Sequence, residues 1–89
     1  SMDSVATTFY NNKDYKRAEA ILERQITEYS KLPDMQEKIL QTRTKLAKTL
    51  FALRDWQKAL GLYEEVAKQS LSDNTIKMEL IQCLKEIKQ

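Results

Sequence analysis

The sequence is short of the residues on which most catalytic and metal sites depend. It contains no histidine, so the most common general base and metal ligand is missing. Its one cysteine, Cys83, has no partner for a nucleophilic pair, a zinc site or an internal disulfide. A phosphate-binding loop needs several glycines, and the sequence has only Gly61. We therefore expect no catalytic residues, no metal site and no cofactor, and we expect Cys83 to be a small buried apolar residue.

Helix-breaking residues and long apolar runs are also scarce. One Gly and one Pro occur in 89 residues, of which 42% are hydrophobic and 31% charged. This composition is typical of a single all-helical domain. No apolar run approaches the roughly 18 residues that cross a bilayer. A single cysteine fits a reducing compartment, so we expect the cytoplasm, with the nucleus as the alternative.

The charges are nearly balanced, which restricts the classes of partner. Fifteen Lys and Arg stand against 13 Asp and Glu, a formal net charge of +2, and acids alternate with bases along the chain. Nucleic-acid binding needs a concentrated basic patch, and a membrane-surface helix needs a basic face with aromatic anchors. We therefore expect no nucleic acid and no membrane among the partners. The adjacent Glu64 and Glu65 point apart on a helix and are expected to be solvated.

The most informative pattern is an internal repeat. Residues 13–18 and 54–59 match position by position in charge, aromatic character or size, at an offset of 41 residues. The match continues outside these segments, where Ala6 aligns with Ala47 and Leu22 with Tyr63. A period of this size is typical of stacked helical hairpins, because each hairpin must bury its apolar face against a neighbour.

Both units resemble the tetratricopeptide repeat family. The second unit reads Leu46-Ala47, Leu50, Asp55-Trp56, Ala59 and Tyr63, similar to the family's L-G-x2-Y followed by A-x3-F. The resemblance implies an all-α fold of antiparallel helix-turn-helix repeats in an α-α superhelix. The residues that would define the repeats are Ala6, Phe9, Tyr15, Ala18 and Leu22 in the first unit and Ala47, Leu50, Trp56, Ala59 and Tyr63 in the second.

The repeat predicts a single domain over residues 2–89, made of two hairpins and a further helix. Unit one covers residues 2–32, unit two covers residues 33–71, and the last helix covers residues 72–88. Ser1 is typical of the residue left by tag removal and is excluded from the fold. Because so short a chain buries only a modest core, we expect it to be a fragment of a longer protein.

Hydrophobic periodicity predicts five helices. Their expected bounds are Ser4 to Asn11, Asp14 to Tyr29, Asp34 to Leu53, Asp55 to Ser70, and Ser72 or Asp73 to Lys88. Asp34 and Glu37 have the spacing of a capping box, which predicts that Asp34 caps the third helix. Gly61 costs about 1 kcal/mol relative to alanine inside a helix, which predicts a close helix crossing at this position.

The last helix has two interpretations. Its apolar side is expected to carry Ile76, Leu80, Leu84 and Ile87, and its polar side Lys77, Glu79, Gln82, Lys85 and Glu86. This one-sided pattern favours a helix that caps the stack. Met78, Ile81 and Cys83 widen the apolar stripe, which favours the first helix of a third repeat instead.

In the tetratricopeptide family, partners bind a concave groove lined by the first helix of each hairpin. The resemblance places in that groove Thr7 and Tyr10 of the first helix and Gln41, Thr44, Lys45, Lys48 and Phe51 of the third. The third helix is net positive, which favours an acidic or carboxylate-bearing peptide. The alternative interpretation is that its lysines form an ordinary solvated helix face.

Two functions are consistent with these patterns. The first is a non-catalytic protein-protein interaction module, an adaptor or scaffold, that binds a partner peptide in the groove. It needs exposed aromatic anchors at Tyr10 and Phe51. The alternative is a structural segment of a large multiprotein assembly, which packs through its helix ends or self-associates through the terminal helix. It needs an exposed apolar face on that helix.

Overall fold

The chain folds into a series of α-helices. The computed structural model describes residues 2–70 and 73–89, with side chains described from Ser4 onward. Those residues are 82% helical and contain no strand. The helices are α1 (Met2–Asn11), α2 (Tyr15–Ser30), α3 (Gln36–Ala52), α4 (Trp56–Gln69) and α5 (Asn74–Ile87). The all-α prediction is confirmed. The expectations for Ser1 and for a unit boundary at residues 71 and 72 lie outside the described residues.

Each helix packs mainly against the helices that precede and follow it in the chain. The packed pairs are α1 with α2, α2 with α3, α3 with α4, and α4 with α5. The resulting stack measures 38 × 28 × 18 Å. Short connections favour antiparallel neighbours, as expected for helical hairpins.

The turn that joins α1 to α2 recurs between α3 and α4, 41 residues later. Lys13 and Arg54 both lie in the left-handed region, with φ of 63° each. The amides around them pair in the Schellman pattern at a helix C-terminus. The bonds are Lys13 to Tyr10 (2.9 Å) and Asp14 to Phe9 (2.8 Å) in the first turn, and Arg54 to Phe51 (3.0 Å) and Asp55 to Leu50 (2.9 Å) in the second.

The residue after each turn begins the next helix in the same way. The Asp14 carboxylate accepts a hydrogen bond from the Arg17 amide at 3.4 Å, and the Asp55 carboxylate accepts one from the Lys58 amide, also at 3.4 Å. These carboxylates satisfy helix amides that have no partner within the helix. The sequence match therefore reflects one turn-and-cap structure used twice.

The start of α3 differs from the prediction. Asp34 has φ of 58° and lies before the helix, while Met35 is the N-cap residue and makes no side-chain cap hydrogen bond. An N-cap side chain reaches the helix amides from an extended backbone conformation, which the left-handed Asp34 does not have. The capping-box prediction is wrong. Glu37 still lies in the first turn, where its charge favours the helix dipole.

The core combines small residues at helix contacts with larger apolar side chains. Ala18 and Ala59 are both fully buried, and alanine lets two helices approach closely. Their repeat neighbours Leu22 and Tyr63 are also buried. Phe9, Tyr15 and Trp56 are half-buried. The other buried apolar residues are Ala6, Leu46, Ala47, Leu50, Val66, Ile76 and Cys83.

Two expectations about α4 and α5 are wrong. Gly61 is exposed, and no atom lies within 4 Å of the position a Cβ would occupy, so it makes no close helix crossing. Leu84 was expected on the buried side of α5 but is 39% exposed. It lies at the margin of the α4 contact, because α4 covers only the side of α5 that carries Ile76 and Cys83.

Candidate functional site

A pocket lies where α1, α2 and α3 meet. Its volume is about 200 Å³. The lining residues are Ala6, Thr7 and Tyr10 from α1, Leu22 from α2, and Lys45, Lys48 and Thr49 from α3. Four of these lining residues, on α1 and α3, are among those that the sequence predicts for a groove.

The floor of the pocket is apolar and its rim is polar. Ala6, Leu22 and Thr49 are buried, whereas Thr7 and Lys45 are exposed. The Thr49 hydroxyl donates to the carbonyl of Lys45 at 2.8 Å, so its polar group is satisfied within α3. A binding site of this kind, apolar inside with a few polar groups at its mouth, suits a side chain that is itself mainly apolar.

The two lysines of the pocket have different environments. The Lys48 ammonium lies 3.3 Å from a carboxylate oxygen of Glu79 on α5. The hydroxyl of Tyr63 donates to that same oxygen at 2.9 Å. Lys45 is exposed, and no ion pair involves it within residues 4–70 and 73–89. Lys45 is therefore available to an external anion, while Lys48 is already paired.

Glu79 was expected on the solvent side of α5, and the structure places it against α3 and α4 instead. Its partners lie 31 and 16 residues away in the chain. No local pattern in the sequence signals such a contact, because the amphipathic stripe of α5 identifies only its apolar side.

The same carboxylate affects nearby titratable groups. Burial, followed by the hydrogen bond to Glu79, raises the pKa of Tyr63 far above its ordinary value. Burial, followed by the Tyr15 phenol and Glu79, raises the pKa of Tyr10. Burial and then Glu79 raise the pKa of the Cys83 thiol. All three groups are therefore neutral near neutral pH, and Cys83 is a poor nucleophile there.

The two aromatic residues proposed as anchors have different surroundings. Tyr10 is 37% exposed at the pocket, and its ring meets that of Tyr15 edge to face at 5.3 Å. Phe51 is half-buried against Trp56 at 5.2 Å and Tyr63 at 6.2 Å, and it does not line the pocket. The structure therefore brings only Tyr10 to the pocket.

The remaining predicted groove residues lie outside the pocket. Gln41 is exposed, and Thr44 is half-buried with its hydroxyl bonded to the carbonyl of Leu40 at 2.9 Å. Thr49 lines the pocket but was not among the predicted groove residues. It lies one turn after Lys45 on α3, a spacing that could have identified it.

The structure also bears on metal and membrane sites. Within residues 4–70 and 73–89, no group of three His, Cys, Asp or Glu side chains is placed to hold a metal ion. None of the helices in the described ranges is both long enough and apolar enough to cross a bilayer.

The model of the tetratricopeptide repeat family matches residues 39–68. Residues 39–68 are therefore similar to a tetratricopeptide repeat. The match covers most of α3 and α4, so the repeat corresponds to the second hairpin. No curated protein and no solved structure matches the chain. Tetratricopeptide repeats generally mediate protein-protein interaction and are typically non-enzymatic.

Proposed function

We propose that this protein is a non-catalytic adaptor or scaffold that binds an acidic segment of a partner protein in the groove between α1 and α3. The observation that supports this most directly is the pocket itself, which joins four predicted groove residues, Thr7, Tyr10, Lys45 and Lys48, in one place. The partner is a protein or peptide rather than a nucleic acid or a membrane, and the expected location is the cytoplasm, with the nucleus as the alternative.

The size of the pocket supports the binding of one apolar side chain. Cavities of about 150 Å³ lined by apolar residues accept a benzene molecule. A pocket of about 200 Å³ therefore has room for one large side chain of a partner. Tyr10 would contact that side chain at the rim, since tyrosine combines an apolar ring with a polar tip.

The charge at the rim supports a partner segment that carries an acidic residue next to that apolar side chain. Lys45 has no acidic partner within the described part of the chain, whereas Lys48 is paired with Glu79. A carboxylate of the bound segment would therefore meet Lys45 first. An exposed pair of this kind contributes little to affinity, about 0.2–1 kcal/mol, but it helps to orient the ligand.

This proposal can be tested by selecting peptides from a random display library on the chain. We expect enriched peptides to carry Asp or Glu beside a large apolar residue, and their affinity to fall with added salt. Lys45→Glu should weaken the binding of these peptides about fivefold or more, because it turns attraction of their carboxylates into repulsion. Arg24→Glu is the matched control, since Arg24 is exposed on α2 and outside the pocket. Equal loss with both variants, or enrichment of non-acidic peptides, would count against the groove.

A second candidate function is supported by a separate observation. Three large apolar side chains of α5, Met78, Ile81 and Leu84, are 68%, 50% and 39% exposed. Such a face suits a segment of a multiprotein assembly that packs through the end of its helical stack or self-associates. Whether α5 caps the stack or begins a third repeat remains a prediction from the sequence.

A further inference from the structure

α5 has two apolar faces, of which α4 covers only one. Ile76 and Cys83 are buried, and Leu80 is half-buried against the same core. Met78, Ile81 and Leu84 are exposed and follow one another at intervals of three residues, so they share a face of the helix. At about 1.5 Å per residue, the stripe they form is roughly 9 Å long.

The outward face of α5 is also positively charged. Lys77, Lys85 and Lys88 are exposed at helical spacings from Ile81 that place them beside the stripe. No ion pair involves these lysines within the described part of the chain. We call these three lysines, together with Met78, Ile81 and Leu84, the outer α5 face.

The acidic residues of α5 do not neutralise this charge. Glu79 is turned to the opposite side, where it pairs with Lys48 and accepts a hydrogen bond from Tyr63. Glu86 is half-buried and accepts a hydrogen bond from Gln82 at 3.1 Å. The exposed Asp73 carboxylate, at the start of α5, accepts hydrogen bonds from the Thr75 and Ile76 amides and caps the helix. Within α5 itself, the outer α5 face therefore combines an apolar stripe with lysines.

We propose that the outer α5 face is a docking surface for an acidic amphipathic helix of a partner protein. A helix with apolar residues at intervals of three and four would cover the stripe, and flanking carboxylates would pair with the lysines. This surface does not include Lys45 or Tyr10, so the proposal is independent of the groove. It assigns a partner chemistry to the second candidate function.

The charge pattern argues against a second copy of the chain at this surface. If two α5 helices pack antiparallel about Ile81, Lys77 of each copy faces Lys85 of the other. In a parallel pair, each lysine meets its own equivalent. Like charges at such positions are destabilising. An anionic membrane is a weaker fit, because the outer α5 face has no Trp or Tyr anchor.

The test uses two synthetic helical peptides that share a leucine stripe and differ in their flanking residues, which are glutamate in one and lysine in the other. Titration into the ¹⁵N-labelled chain should shift the amide signals of α5 with the glutamate peptide only. Ile81→Gln should weaken that binding about tenfold, since it removes the centre of the stripe. Val5→Gln is the matched control, because Val5 is 45% exposed on α1 at the other end of the stack.

A charge exchange makes the test more specific. The double variant Lys77→Glu with Lys85→Glu should bind the glutamate peptide about tenfold more weakly, and it should bind the lysine peptide. Circular dichroism of each variant controls for loss of helix. The proposal is overturned if the glutamate peptide does not bind, or if it shifts only the amide signals of the groove residues on α1 and α3. It is also overturned if Ile81→Gln abolishes dimerisation in sedimentation equilibrium, or abolishes binding to phosphatidylserine vesicles, without affecting the peptide.

Discussion

At the scale of single residues, Gly61 is a position where helix propensity can be measured without a change in packing. It is exposed on α4, and a Cβ there meets nothing within 4 Å. Gly61→Ala should therefore raise the free energy of unfolding by about 1 kcal/mol, because alanine loses less backbone entropy in a helix. The measurement is chemical denaturation followed by circular dichroism.

The repeat supplies a matched control for this prediction. Ala20 lies 41 residues before Gly61, on α2, and is also exposed. Ala20→Gly should lower the free energy of unfolding by a similar amount. If Gly61→Ala is destabilising, the space around this position must be occupied in solution, contrary to the structure.

Tyr63 should make the protein sensitive to alkaline pH. Its ordinary pKa is 10.0, and burial with the hydrogen bond to Glu79 raises the pKa in the folded state. Below pH 10 both states are neutral and the stabilising contribution is complete. As pH rises above 10, the unfolded tyrosine ionises first, so stability should fall by up to about 1.4 kcal/mol per pH unit.

Tyr63→Phe provides the comparison for the alkaline titration. It should cost about 1–2 kcal/mol at neutral pH, because a hydrogen bond to a charged acceptor is lost. Above pH 10 the urea midpoint of this variant should fall less steeply with pH than that of the unsubstituted chain. Parallel curves would mean that other groups, such as Cys83, account for the alkaline effect.

At the scale of elements, the repeated turn determines where the helices stop. Lys13 and Arg54 occupy the position at which glycine is usual, and a left-handed conformation costs an ordinary residue about 1–2 kcal/mol. Arg54→Gly should therefore raise the free energy of unfolding by about 1 kcal/mol, and Lys13→Gly should do the same. Thermal unfolding of the two variants checks this expectation.

Arg54→Ala separates backbone strain from side-chain effects. Alanine removes the same charge but keeps the Cβ, so the left-handed conformation remains strained. We expect no gain in stability from it. A gain equal to that of Arg54→Gly would show that the arginine side chain, and not the backbone conformation, is unfavourable at this turn.

Element boundaries were predictable where a local side chain defines them. Asp14, Asp55 and Asp73 are N-cap residues next to apolar helical stripes, and all three accept amide hydrogen bonds. Asp34 has the same sequence signature but not the backbone conformation. The residue following Pro33 lies in a bend with a left-handed backbone conformation, and a capping-box pattern alone does not distinguish such a bend from a helix start.

At the scale of the whole molecule, Glu79 links α5 to the second hairpin. It pairs with Lys48 of α3 and accepts a hydrogen bond from Tyr63 of α4. Glu79→Gln should lower the free energy of unfolding by about 1–2 kcal/mol, because an ion pair and a charged hydrogen bond are weakened together. Hydrogen exchange should show the largest loss of protection in α5.

Glu86→Gln is the control for this link. It makes the same chemical change on the same helix, where Glu86 accepts a hydrogen bond from Gln82, one turn away on α5. We expect it to change stability by less than about 0.5 kcal/mol. If both variants loosen α5 equally, the contact of Glu79 with α3 and α4 does not hold the helix in place.

The sequence by itself determined the features that depend on near neighbours. Helical periodicity and the two aspartate-capped turns follow from interactions within a few positions of the chain, and the repeat is visible because the same local pattern recurs 41 residues later. The tertiary structure decided which distant side chains meet. It brought Tyr10 and Lys45 to one pocket, packed the Phe51 ring against Trp56, and paired Glu79 with Lys48. These contacts depend on how whole helices are placed against one another, and a stripe on one helix does not specify the rotation of the next.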